Sequence, residues 1–180
     1  MARPSSYTER DLLDIAVALA AEGGAAAVSV AGVARLAGAP SGSVYHRFAG
    51  RSALLARVWL HALTSFEDAW WSVAEHEVDP GAVAAAPLRW ARSEPQLAAI
   101  LARHGRRSFV EGPERATIEA HEARLLGRWE LLSARFLGDA SPESLARTRF
   151  ALATVPLAAI RDRSPEDLVV ETARLLLGVR

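Results

Sequence analysis

The 180-residue sequence has no cysteine, which excludes disulfides, thiolate metal sites and a cysteine nucleophile and makes a reducing compartment the simplest setting. It has no lysine either, so its 21 basic side chains are all arginine. With abundant alanine, that bias reads as coding composition rather than function. No apolar run of about 18 residues free of charge occurs, so no membrane span is expected. Met1 to Ser6 lead into a charged segment without an export pattern, and the chain is expected to be cytoplasmic. Formal net charge is +0, so the whole chain does not announce a polyanionic partner. Through Leu60, Arg3, Arg10, Arg35, Arg47, Arg51 and Arg57 face only Glu9, Asp11, Asp14 and Glu22. This basic excess is too small to assign nucleic-acid binding by itself.

Features of catalysis are also missing. There is no histidine pair at metal-ligand spacing, no nucleophile elbow and no phosphate-cradling glycine loop. No metal and no cofactor are expected. His104, His121 and scattered carboxylates offer acid–base chemistry only in principle, and His61 and His76 read as helix-surface residues. An enzyme is therefore the weaker reading, and turnover of a candidate ligand would revive it.

What is present is helix-forming sequence: 51% of the residues are hydrophobic, recurring three and four apart, and no segment alternates as a half-buried strand does. An all-α fold follows. Thr8 and Asp11 should start a first helix with Leu12, Ile15, Ala16 and Leu19 as its buried stripe, ended by Gly23-Gly24. Ser29 caps a second, short helix carrying Val30, Val33, Ala34 and Ala37, with Gly38 as its left-handed stop. A third runs from about Ser41 to Phe48 with Val44 and Phe48 inward, and Ala49-Gly50 closes it. From Arg51 a long helix carries Leu55, Val58, Trp59, Ala62 and Phe66 to Trp70-Trp71 or beyond, before Asp79-Pro80-Gly81. Later breaks fall at Ser93-Glu94-Pro95, Gly112-Pro113, Gly138 to Pro142 and Ser164-Pro165-Glu166. The domain boundary is expected inside the long helix, dividing a head of residues 1–52 from a body of residues 53–180.

Val30 to Phe48 form the informative stretch: short helix, glycine turn, short helix, which is the helix-turn-helix arrangement. Ala34 is small where the helices cross, Gly38 makes the turn, and Val44 plugs the gap between them. Held this way, the third helix projects outward and fits a major groove about 12 Å wide. Ser41, Gly42 and Ser43 would lead in, with Tyr45, His46, Arg47 and Arg51 around the contact. For Tyr45, packing against the turn stands as an alternative to phosphate contact. For His46, so does a purely exposed position without a role.

Ser29-Val30, Ala34, Ala37-Gly38, Gly42-Ser43-Val44-Tyr45-His46-Arg47-Phe48 and Arg51-Ser52-Ala53-Leu54-Leu55 together resemble the signature of the tetracycline-repressor (TetR) family over roughly residues 8–60. The resemblance implies a three-helix head that binds double-stranded DNA and a helical body that binds a small-molecule effector and dimerises through its last two helices. It implies a homodimeric bacterial repressor released from a palindromic operator. It also implies that Ser29 and Ser43 touch phosphates, that Ser41, Gly42 and Arg47 approach base edges, that Tyr45 and His46 clamp the backbone, and that Arg51 binds phosphate. Two residues depart from the pattern: Pro40 replaces a capping serine or similar residue, and Gly32 a longer side chain.

In the body, Trp90, Phe109, His121 and Trp129 are candidates to line an apolar ligand pocket with a few polar handles. Around Leu145 to Ile160 and Asp167 to Gly178, stripes such as Leu168, Thr172, Leu175 and Leu176 suit an isologous four-helix interface. A helical interaction module that has lost DNA binding is the rival reading that Pro40 and the modest charge leave open.

Overall fold

The computed structural model describes residues 7–112 and 114–178. Arg3 of the basic excess and Pro113 of the expected break lie outside the described residues. Among the described residues twelve α-helices run in order: α1 Glu9–Ala27, α2 Val30–Ala37, α3 Ser41–Arg47, α4 Arg51–Ala74, α5 Pro80–Ser93, α6 Pro95–Arg103, α7 Arg106–Phe109, α8 Glu114–Arg124, α9 Leu126–Leu137, α10 Pro142–Arg149, α11 Val155–Asp162 and α12 Glu166–Leu176. No strand occurs among the described residues.

The expected start signals operate as written. Thr8 Oγ1 accepts from the Asp11 amide at 3.1 Å while the Thr8 amide donates to Asp11 Oδ2 at 2.8 Å, closing a capping box. Leu12 and Ala16 are fully buried, with Ile15 and Leu19 packed against them. The expected stop at Gly23-Gly24 is instead a break, after which one helical turn resumes to Ala27. Gly24 has φ +66° and ψ −165°, and the His104 ring packs where its side chain would be. The head's first helix is thus bent around a residue that follows α6, and two more breaks unmarked in the sequence reading, at His104–Gly105 and Leu125, subdivide the body.

Helix α4 crosses from head to body. Leu54, Leu55 and Val58 on its first turns are buried, as are Phe66, Trp70 and Trp71 on its last. Beside it, α5 carries Pro87 in its interior. Proline has no N–H to give the carbonyl four residues back, and that carbonyl, Val83 O, receives the Trp70 indole N–H at 3.2 Å instead. The far end of α4 is closed by Arg135 of α9, which donates to Ala74 O at 2.7 Å, Glu75 O at 2.9 Å and Glu77 O at 3.2 Å.

The C-terminal helices are held as firmly. Asp79 caps α5 through the Gly81 amide at 3.0 Å and takes Arg174 of α12 through Nε at 3.0 Å and Nη2 at 2.6 Å. The Arg174 guanidinium keeps the Asp79 carboxyl below the usual carboxylate range. Between α10 and α11 the chain makes a π-helical stretch, Phe150–Thr154, immediately before Pro156. The wider turn accommodates a ring that would otherwise strike the preceding turn, so α10, this stretch and α11 form one continuous rod.

Replacing Gly24 with alanine forces a side chain into a backbone region reserved for glycine and against His104, whose Nδ1 lies 3.0 Å from the added carbon. Gly24→Ala should lower unfolding stability by about 2–4 kcal/mol. Gly42→Ala, with no atom within 4 Å of its added carbon, should change it by about 1 kcal/mol or less. Urea unfolding midpoints measure both, and equal midpoints for the two variants would remove the strain assigned to Gly24.

Candidate nucleic-acid interface

The α2–α3 corner is built by the small residues that the spacing singled out. Ser29 Oγ accepts from the Gly32 amide at 3.0 Å and starts α2. Gly38, at φ +63° and ψ 23°, ends it, and its amide turns back on Ala34 O and Arg35 O. Val44 is completely buried and Ala34 nearly so, so α3 rests on α2 through the side chain expected to fill the gap. Pro40 gives α3 no side-chain cap. Its carbonyl accepts from the Ser43 amide at 2.9 Å and supplies the first turn.

What faces outward is the polar side of α3. Ser41, Gly42, Tyr45, His46 and Arg47 are exposed, Tyr45 to 58%, with Ser29 exposed beside them and Ser43 half-buried. The packing alternative for Tyr45 is therefore not realised. The two expected arginines have further partners. Arg47 Nη2 donates to Tyr7 O at 2.7 Å and Nη1 to Ser43 O at 3.1 Å. Arg51 Nε donates to Val28 O at 2.9 Å and Nη2 to Ala25 O at 2.6 Å. Arg51 thereby satisfies carbonyls that the end of α1 leaves open, a structural task the sequence reading did not assign to it.

Tyr7 was missed by that reading. Its hydroxyl donates to Gly38 O at 3.3 Å and its own carbonyl holds Arg47, so one residue ties the start of α1 to the turn and to α3. A signal was available: Tyr7 precedes the Thr8 cap by one and Leu12 by five, the spacing of a hydrophobic staple. Behind α3, a cleft of about 300 Å³ separates head from body. Glu9, Arg47 and Phe48 line it from the head, Arg57 from α4, and Thr117 and Ile118 from α8. Arg57 pairs with Glu9 at 2.6 Å across it.

The four residues expected to line a ligand pocket all lie in the body but do not surround one opening. Trp90 donates to Ser65 Oγ at 3.1 Å and stacks edgewise on Phe66, and it borders a surface cleft with His61, Thr64 and Asp68. Phe109 is buried against Trp59 and His104. Trp129 sits between Trp70 and Trp71, with ring centroids 4.8 and 5.4 Å away. His121 Nε2 lies 2.6 Å from Glu67 Oε2. Among the described residues no cluster of three or more acidic or histidine side chains is placed to hold a metal ion.

Residues 12–58 match the family model described as bacterial regulatory proteins, tetR family. A search of curated proteins matches none. Among solved structures, the fatty acid degradation regulator FadR from Bacillus halodurans is 18% identical with a TM-score of 0.66, covering 99% of this chain and 97% of its own. The TetR family regulator PfmR from Thermus thermophilus is 21% identical with a TM-score of 0.69, covering 93% and 97%. The ketosteroid transcriptional regulator KstR2 of Mycobacterium tuberculosis is 18% identical with a TM-score of 0.65, covering 97% and 96%. Residues 12–58 are thus similar to the tetR family's regulatory proteins, and the whole chain shares the all-α fold of these solved structures.

Arg51→Ala should destabilise the fold by about 1.5–3 kcal/mol, the usual cost of removing charge-assisted hydrogen bonds from buried acceptors. Arg51→Lys should recover less than half, because one ammonium cannot span both carbonyls. Thermal and urea unfolding of the free protein check this, and a parent-like Arg51→Ala would return the side chain to the DNA contact alone.

Proposed function

We propose that the protein is a homodimeric, cytoplasmic transcriptional repressor that holds a palindromic operator through α3 and is released from it by a small-molecule effector. The observation that carries this reading is the exposed polar face of α3, raised on a packed corner of Val44, Ala34 and Gly38. Residues 1–52 form the DNA-binding unit and residues 53–180 the effector-binding and dimerisation unit. Ser29, Ser43, Tyr45 and His46 contact phosphates, and Arg51 adds its remaining terminal nitrogen. Ser41 and Gly42 admit the helix to the groove, and Arg47 reaches base edges by leaving Tyr7 O. No described helix is long and apolar enough to cross a membrane, in keeping with a protein that works on DNA.

The dimer reading rests on an apolar face with no partner among the described residues. Helix α12 packs inward through Val169 and Ala173, leaving Leu168 53% and Leu175 82% exposed on its other side with Thr172 between them. Phe150, at the π-helical stretch, is 50% exposed. A second copy related by a two-fold axis would cover both surfaces and set two α3 helices for successive turns of one groove, about 34–36 Å apart or a multiple of that.

Footprinting on the DNA upstream of the protein's own gene should reveal a palindromic protected site. Arg47→Ala should lower operator affinity by about 1–3 kcal/mol and narrow the gap to unrelated DNA. A protein that protects no DNA, or an Arg47→Ala variant with unchanged discrimination, speaks against the reading or the assignment respectively. Leu175→Glu should convert the dimer to monomer in analytical ultracentrifugation and weaken operator binding with it. A dimer that persists in this variant places the interface elsewhere.

A further inference from the structure

Every other buried residue of α4 is apolar, yet Glu67 lies among them with 8% exposure. Along α4, Leu63 stands one turn before Glu67 and Trp71 one turn after it, with Trp59 a further turn back. The indole N–H groups of Trp59 and Trp71 are buried and donate to no atom of the described residues. No arginine among the described residues reaches the carboxylate, and its one close partner is His121 of α8, 2.6 Å away. Burial pushes the Glu67 pKa up, with Asp68 and Glu122 adding to the rise and His121 opposing it. A carboxylate in such a place is a liability for folding alone. It suits a ligand that brings a positive charge and an apolar body, since aromatic faces and a desolvated carboxylate attract the same group.

We propose that Glu67, buried among the apolar side chains of α4, is the recognition point for the effector, that the effector is a protonated amine on an apolar or aromatic body, and that its ammonium takes the place of His121 on the carboxylate. This rests on the reading of the chain as an effector-released regulator and supplies the class of ligand. It also supplies the route of release, because α8 joins the two places concerned. Its later turns carry His121, and its earlier turns carry Thr117 and Ile118, which face Arg47 and Phe48 across the head–body cleft. Ile118 is the single buried residue of α8. The helix is otherwise tied by His121 and by Arg106, which reaches Glu122 at 2.9 Å and Glu119 at 3.7 Å. Freeing His121 removes one of these few ties and lets α8 shift against the end of α3. The surface over Glu67 opens by the same movement.

Full-length protein titrated with phenylbutylamine, phenylbutanol and phenylbutanoate, followed by tryptophan fluorescence and calorimetry, separates charge from shape. The amine should bind about tenfold or more tightly than either comparator. Glu67→Gln should abolish that preference while Glu67→Asp, which keeps the charge, retains it, so that lost recognition is not confused with lost fold. His121→Ala should bind the amine more tightly, since the competing side chain is gone, and weaker binding there overturns displacement. Equal affinity for the three compounds, no saturable amine binding, or an unchanged preference in Glu67→Gln overturns the site. In a mobility-shift assay the amine should release operator DNA from the parent, and amine binding without release overturns the role of α8. A protein that prefers the amine through Glu67 but shifts no DNA upholds the site and defeats the regulator reading instead.

Discussion

The structure hangs on α4. Its 24 residues make a rod about 36 Å long at the usual rise, whose first turns are core of the head and whose last turns are core of the body. Leu54 and Val58 are fully buried at one end, and Trp70 and Ala74 are at most 1% exposed at the other. A rod buried at both ends cannot bend without disturbing two cores, so the head follows whatever the body does to α4. Its ends are closed from outside the helix: Arg51, at its first residue, turns back to the carbonyls of Ala25 and Val28, and Arg135 closes its last turn. The orientation of α3 therefore depends on packing far from its own exposed face.

Arginine does much of this joining. In a chain without lysine, the planar fork of the guanidinium meets helix-end carbonyls at Ala25, Val28, Ala74 and Glu75, and meets the Asp79 carboxylate with two nitrogens. A single ammonium spans such pairs poorly. A zero net charge thus conceals a division of labour, in which Arg51 and Arg135 finish helix ends and Arg174 binds a capping carboxylate while Arg47 stands on the presenting face. That is why counting charges in the head was uninformative and reading the spacing of Ala34, Gly38 and Val44 was not.

Local chemistry was legible in the sequence because it acts over a few residues. The Thr8–Asp11 capping box, the Ser29 cap, the Gly38 turn and the proline-marked starts at Pro80, Pro95 and Pro142 all stand where their side chains imply. Burial of Val44 and exposure of His46 followed from helical spacing in the same way. Contacts between distant residues were not legible. His104 seated at Gly24, Arg51 reaching back 26 positions to Ala25, and Arg135 reaching 61 to Ala74 have no periodicity to betray them. Among the four expected ligand residues, only His121 meets a buried charge, and nothing in the spacing singled out its partner Glu67.

The regulator proposed here must also have a part that moves cheaply. Helix α12 is a poor candidate: Asp79 grips Arg174 with two nitrogens, and Gly81 admits Val170 so closely that an added carbon would lie 2.7 Å from it. Helix α8 is the reverse case, with one buried apolar side chain and otherwise ionic or hydrogen-bonded ties. Burying one isoleucine is worth about 1.5–3 kcal/mol, and exposed ion pairs add at most about 1 kcal/mol each. Coupling free energies between a ligand and a distant site commonly amount to about 1–3 kcal/mol. Once His121 is displaced, what still holds α8, one buried isoleucine and two exposed ion pairs, overlaps that range, whereas the aromatic packing of α4 far exceeds it. On the proposed reading, ligand binding can therefore shift α8 against the head without unfolding the body, and the cleft beside Phe48 is where that shift meets α3.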